Sequence, residues 1–147
     1  MRKNILWMIL GSLITILLIS SFTFFTSYEK NIQQMLGTVV VYKHESVTAH
    51  LSSDVCDYLT DGKSSLYFGE LPSQENAIEI NSPERATLYV YPSDEDSIII
   101  RYEPRNGIKR TYKKSGYGDF NRVLEVLYEL TDNEVFNETI DYAALNE

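Results

Sequence analysis

The chain has 147 residues, 21 of them acidic against 13 basic, a formal charge of −8, and one cysteine. A net negative charge argues against nucleic acid and anionic lipid heads as general partners, because both repel it. A lone cysteine excludes an internal disulfide, and the length allows one domain once the apolar N-terminus is set aside.

Ile5 to Phe25 are 21 consecutive positions without a charge, and 13 of them are Leu, Ile or Phe. As a helix rising about 1.5 Å per residue the run is roughly 31 Å long, matching a hydrocarbon core of about 30 Å. Each Leu, Ile or Phe favours insertion by roughly 0.3–0.6 kcal/mol. The five Ser and Thr hydroxyls offset part of this, and each can bond back to a helix carbonyl. A cleaved signal peptide has an apolar region of about 7–15 residues ending in small side chains. Here Phe22, Phe24 and Phe25 stand where a peptidase needs small residues. A soluble core helix apolar on every side would need a large protein around it. The run therefore reads as an uncleaved signal-anchor: residues 1–4 cytoplasmic, 5–27 a single-pass transmembrane helix, 28–35 a short linker. Arg2 and Lys3 precede the run, so the N-terminus is expected inside and the remainder outside the cytoplasm, at the cell membrane. Residues 28–147 then hold 11 of the basic and all 21 acidic residues, a formal charge of −10.

The expected extracytoplasmic domain covers residues 36–131. Val39–Tyr42 is β-branched and aromatic, and Val47, Ala49 and Leu51 alternate with Thr48 and His50, which predicts two strands with His44–Glu45 at the bend. Ser52 or Ser53 caps a short predicted helix through Leu59, with Val55, Tyr58 and Leu59 on one face and Asp61-Gly62 as the stop. Residues 65–72 are ambiguous, with Leu66, Tyr67 and Phe68 running apolar before Gly69 and Pro72 interrupt. Ile78 and Ile80 alternate around Glu79 until Ser82-Pro83, and Thr87–Tyr91 follows, closed by Pro92. Ser97–Tyr102 returns after a polar turn. Pro104-Arg105-Asn106-Gly107 is turn chemistry, with proline setting φ early and Asn-Gly accepting positive φ, and residues 108–113 run back. These predict an antiparallel meander. From an Asp119 N-cap to about Thr131, Phe120, Val123, Leu124, Leu127 and Leu130 form an apolar stripe. A one-sided helix needs a sheet to lie on, so the fold class is α+β, a mainly antiparallel sheet covered by a C-terminal amphipathic helix. Residues 132–147 read as a polar tail, from which Val135, Phe136 and Ile140 can tuck back.

The stretch Tyr102-Glu103-Pro104-Arg105-Asn106-Gly107-Ile108, in a strand–turn–strand before a closing helix, together with Leu71-Pro72, resembles an uncharacterised domain family. Its members are small, N-terminally membrane-anchored extracytoplasmic proteins of Gram-positive bacteria. The likeness covers roughly residues 45–131, with an aromatic usual in the family where this chain has Arg105. It implies a surface-facing bacterial protein and brings no catalytic residues.

His44, Glu45, His50, Asp54 and Asp57 gather both histidines and several carboxylates within 14 residues. Zinc needs three or four converging ligands, and His-x5-His matches no ligand module. These read as exposed polar residues, with His44 and His50 the weak metal candidates and no cofactor expected. Cys56 sits beside Asp54 and Asp57, which disfavour a thiolate, so it reads as a small core residue. The basic run Arg105, Lys109, Arg110, Lys113 and Lys114 puts five of the eleven later cations within ten positions, interleaved with Tyr112 and followed by Tyr117. Such a patch suits an anionic cell-envelope polymer, a phospholipid head or an acidic protein partner. The plainer reading is an edge strand whose lysines deter pairing.

No nucleophile elbow, phosphate loop or HExxH stands in the sequence. The residues point to a membrane-anchored, non-catalytic binding or accessory module outside the cytoplasm. An immunity or inhibitor protein at the cell surface is one alternative, and an enzyme with its site around His44 and His50 is another.

Overall fold

Apolar side chains find cover differently in the two parts of this chain. A computed structural model describes residues 2–33, 38–49, 55, 58–59, 63–116 and 119–144, with the side chains of the first helix described over 5–20. It divides into two compact units, Met1–Gln34 and Met35–Glu147.

The first unit is helix α1, Arg2–Gln33. From Ile5 to Ile19 its Leu, Ile, Met and Trp side chains are all 48–75% exposed, whichever side of the helix they occupy. Ser12 Oγ donates to the Met8 and Ile9 carbonyls (2.9 and 3.0 Å), Thr15 Oγ1 to Gly11 (2.9 Å) and Ser20 Oγ to Leu17 (3.0 Å). Their hydroxyls are thus satisfied within the helix, as the sequence predicts. Among the described residues no helix is long and apolar enough to cross a membrane. The transmembrane helix expected over residues 5–27 is therefore not met by the described residues.

In the second unit, β1 (Thr38–Tyr42), β2 (Glu45–Ala49), β3 (Lys63–Leu66), β4 (Ile78–Ser82), β5 (Ala86–Asp94), β6 (Ser97–Pro104) and β7 (Arg110–Ser115) form a sheet. Its order is β2-β1-β4-β5-β6-β7-β3, and every described pairing is antiparallel. The β4–β7 meander stands as predicted. Residues 63–66, unassigned from sequence, become an edge strand, because the pairing partner Tyr112–Ser115 lies about fifty residues away and leaves no local signal. Pro92 does not close β5. The strand continues to Asp94 through a register shift between Pro92 and Asp94, where a missing N–H is tolerated.

Alternation divides the sheet into two faces. Val40, Ile78, Ile80, Leu88, Val90, Ile98, Ile100 and Tyr112 share one face and are 0–1% exposed. Helix α2, Phe120–Thr131, lies against β5 and β2. It buries Phe120, Val123, Leu124 and Leu127, while Leu130 stays exposed. Asp119 caps it, its side chain accepting from Arg122 N (3.0 Å). Val55, Tyr58 and Leu59 are helical, with Val55 and Leu59 buried; Asp54, Cys56 and Asp57 lie outside the described residues.

The chain after Asp132 is not a loose tail. Phe136 is 1% exposed and stacks on Tyr42 at 6.1 Å. Asn121 clasps Ile140, donating to its carbonyl (3.2 Å) and accepting from its N–H (2.7 Å). The Tyr142 hydroxyl accepts from the free N–H of Phe120 (3.0 Å) at the start of α2. Nothing local in the sequence marks Asn121 or Tyr142 for these contacts, which only the fold brings within bonding distance.

Candidate functional site

The opposite face of the sheet carries the other alternation: Val41, Glu79, Tyr89, Tyr91, Ile99, Arg101 and Lys113. Here the segment after β3 folds back. Its Tyr67 and Leu71 pack with Tyr89 against a buried cluster of Ala77, Tyr91 and Ile99. Gly69 leaves room for the Tyr67 ring, which a Cβ there would have to displace. Tyr67 Oη donates to the Glu70 carbonyl (3.0 Å), and Ser73 caps the 3-10 turn Gln74–Asn76 by accepting from Glu75 N (3.4 Å).

Between that turn and the β1–β2 hairpin lies an open cleft of about 290 Å³. Val41 and Ala77 supply apolar lining, Tyr89 an aromatic wall, and Glu75, Glu79 and His44 polar groups. The hairpin is a two-residue loop, Tyr42 pairing with Glu45, and both loop residues have positive φ: Lys43 at 46° and His44 at 68°. Such loops normally take Asn-Gly, so a lysine and a histidine here hold a conformation costly to L side chains. Lys43 is held on both sides, by an ion pair with Glu138 and by the Tyr42 ring 5.6 Å below its ammonium. Burial raises the Tyr89 phenol above its usual range, and the Glu79 and Glu103 carboxylates add to the rise. Arg101, paired with Tyr89 across β6, opposes that rise, so the phenol sits among charges of both signs. An aromatic wall with carboxylates and an amide beside it suits stacking and hydrogen bonding to a polar ligand.

The residues singled out from the basic run do not converge. Strand alternation turns Tyr112 (0% exposed) and Lys114 (4% exposed) into the core, with the Lys114 ammonium 5.1 Å from the Tyr58 ring centre. Arg110 Nε is also buried. Lys113 points to the opposite face and pairs with Asp94 (2.8 Å). Lys109 pairs with Glu103 (2.8 Å), which also takes Arg101 Nε (2.7 Å). Arg105 donates to the Pro83 carbonyl (3.2 Å), and Tyr117 lies outside the described residues. His44 is exposed in its turn, His50 lies outside the described residues, and among the described residues no three His, Cys, Asp or Glu could hold a metal ion.

The sequence gives Glu79 no site role and leaves the strand residue Tyr89 divided between sheet cover and a recognition surface, although a further signal exists. They occupy the off-beats of the Ile78/Ile80 and Leu88/Val90 alternation and so share the face away from the core. Gln74 and Glu75 gave no such signal, because a fold-back from the far edge delivers them. A second, polar groove of about 500 Å³ runs between α2 and the C-terminal segment, lined among others by Asn121, Arg122, Glu125, Asn137 and Glu138. At its edge Tyr42 Oη donates to the Glu138 carboxylate that also holds Lys43.

By fold the second unit is an α+β protein with an antiparallel sheet covered on one face by a helix and open to a cleft on the other. No family model, curated protein or solved structure matches the chain.

Proposed function

We propose that the protein is a non-catalytic binding or accessory module, carried at the cell membrane by α1 and presenting its second unit outside the cytoplasm. The observation that supports this most is the exposure of α1, whose apolar side chains from Ile5 to Ile19 stand uncovered on every side. A helix apolar all round is stable where its surroundings are apolar too. The uncharged run continues in sequence to Phe25, which brings it to about 31 Å, long enough to span. On this reading the cleft beside Tyr89, Glu75 and Glu79 receives the ligand, a cell-envelope polymer or a protein partner.

Fractionation with a C-terminal epitope tests the anchor. The full chain is expected in the membrane pellet after carbonate washing, with the epitope removed by protease added to intact cells. Recovery in the soluble fraction, or protection until the cells are broken, overturns the reading. For the ligand surface, Tyr89→Ala should lower retention on cell-envelope fractions at least about fivefold, the scale of one contributing interface aromatic. Unchanged retention would remove the cleft from the proposal.

A further inference from the structure

We infer that the C-terminal segment is a strap on the cleft: through Glu138 it fixes the β1–β2 hairpin, and with it the wall that Lys43 and His44 contribute. Its bearing on binding rests on the cleft being the ligand surface proposed above.

The hairpin is poorly held by its own turn chemistry. Both loop residues occupy the left-handed region, Lys43 at φ 46° and His44 at 68°, where an L side chain crowds its own backbone. A conformation of that kind persists where its surroundings impose it. The sheet gives little help at this point. β2 is an edge strand, and the β1–β4 pairing ends at Val41–Glu79, so Tyr42 and the loop lie beyond it.

The C-terminal segment supplies the missing restraint. One carboxylate, Glu138, accepts from Tyr42 Oη and pairs with the Lys43 ammonium. It therefore grips the last residue of β1 and the first of the loop together. Phe136 stacks on the Tyr42 ring at 6.1 Å, and the Lys43 ammonium lies 5.6 Å from the centre of that ring. Glu138 is itself anchored on both sides. Two residues before it Phe136 is buried, and two residues after it Ile140 is clasped by Asn121.

Two grooves meet at this ion pair. Lys43 lines the cleft beside Tyr89, whereas Glu138 lines the polar groove between α2 and the segment. While the pair holds, the Lys43 ammonium is committed to Glu138. Once it breaks, the ammonium is released beside a cleft that also carries Glu75 and Glu79, and the loop loses its outside support. A partner that engages Glu138 from the polar groove thus alters the cleft. Occupation of the cleft acts back on the segment to the same degree, because such coupling is reciprocal.

The test uses the full chain in non-ionic detergent and the variant Glu138→Gln, which keeps an acceptor for Tyr42 and drops the charge that holds Lys43. Amide hydrogen exchange over residues 41–46 and tryptic cleavage after Lys43 are expected to accelerate at least about threefold, the scale of one partly exposed ion pair. Exchange in β5 and β6 should not change. Adding His44→Gly, which relieves the turn, should restore protection of the loop. Unchanged exchange and cleavage overturn the strap. Acceleration spread evenly over the second unit also overturns it, since Glu138 then serves general stability. Retention on cell-envelope fractions separates this inference from the reading it rests on. Local loosening with retention lowered by both Glu138→Gln and Tyr89→Ala supports the two together. Local loosening with retention unchanged in both variants removes the cleft as ligand surface and leaves the hold on the hairpin standing. Retention lowered by Tyr89→Ala alone overturns control of the cleft by the strap. Lys43→Met breaks the same pair from the hairpin side and repeats the exchange measurement should Glu138→Gln disturb folding.

Discussion

Lys114 and Lys113 show how much one position decides in a strand. They are adjacent in a run of cations, yet one is 4% exposed over the Tyr58 ring and the other pairs with Asp94 on the far face. Charge counted along the sequence merges them; a period of two separates them. The hairpin residue His44 gives a direct test at this scale. Its φ of 68° lies in the left-handed region, which glycine occupies without steric cost. His44→Gly is expected to raise stability by about 1 kcal/mol. The readout is the urea midpoint of the full chain in detergent, at an unchanged slope with denaturant. A lower midpoint would mean that the imidazole contributes more than the turn costs.

Among the elements, α2 was legible to its cap, because Asp119 and a stripe at helical spacing are local properties. Its partners were not. Phe136 stacks on Tyr42 and Glu138 bonds Tyr42, contacts separated by more than ninety residues. A short 3-10 turn, Glu134–Phe136, capped by Asn133 through Val135 N (3.0 Å), carries Phe136 into place. Phe136→Ala is expected to cost about 3–5 kcal/mol, the range for truncating a buried aromatic, measured as thermal or denaturant unfolding of the second unit. A loss below about 1 kcal/mol, the scale of a surface position, would return the segment after Asp132 to the status of a tail. The clasp of Asn121 on Ile140 belongs to the same element and should loosen with it.

Across the whole molecule, the eleven tyrosines set the response to alkali. Burial raises the phenols of Tyr58 and Tyr142 to about 12, and burial with the Glu138 hydrogen bond raises Tyr42 as well. In the unfolded chain tyrosines ionise near pH 10. Above that pH the unfolded state releases protons that the folded state keeps, so stability is intact below about pH 10 and falls as pH rises from there through about 12. Tyrosinate absorbance should lag a denatured control over this window and then rise together with loss of near-ultraviolet circular dichroism. Coincidence of the two titrations from pH 10 upward would contradict the burial of these rings.

The order of strands in the meander, the turns between them, the capped amphipathic helix and the apolar N-terminal run were all determined by sequence alone. Each depends on spacing within about twenty residues, where periodicity and turn chemistry act directly. The tertiary structure decided the edge strand at residues 63–66, the fold-back that makes the cleft, the docking of the C-terminal segment and the dispersal of the basic run. Those outcomes depend on which distant surfaces bury one another, and the free energy of burial belongs to the pair of surfaces, not to either stretch of chain.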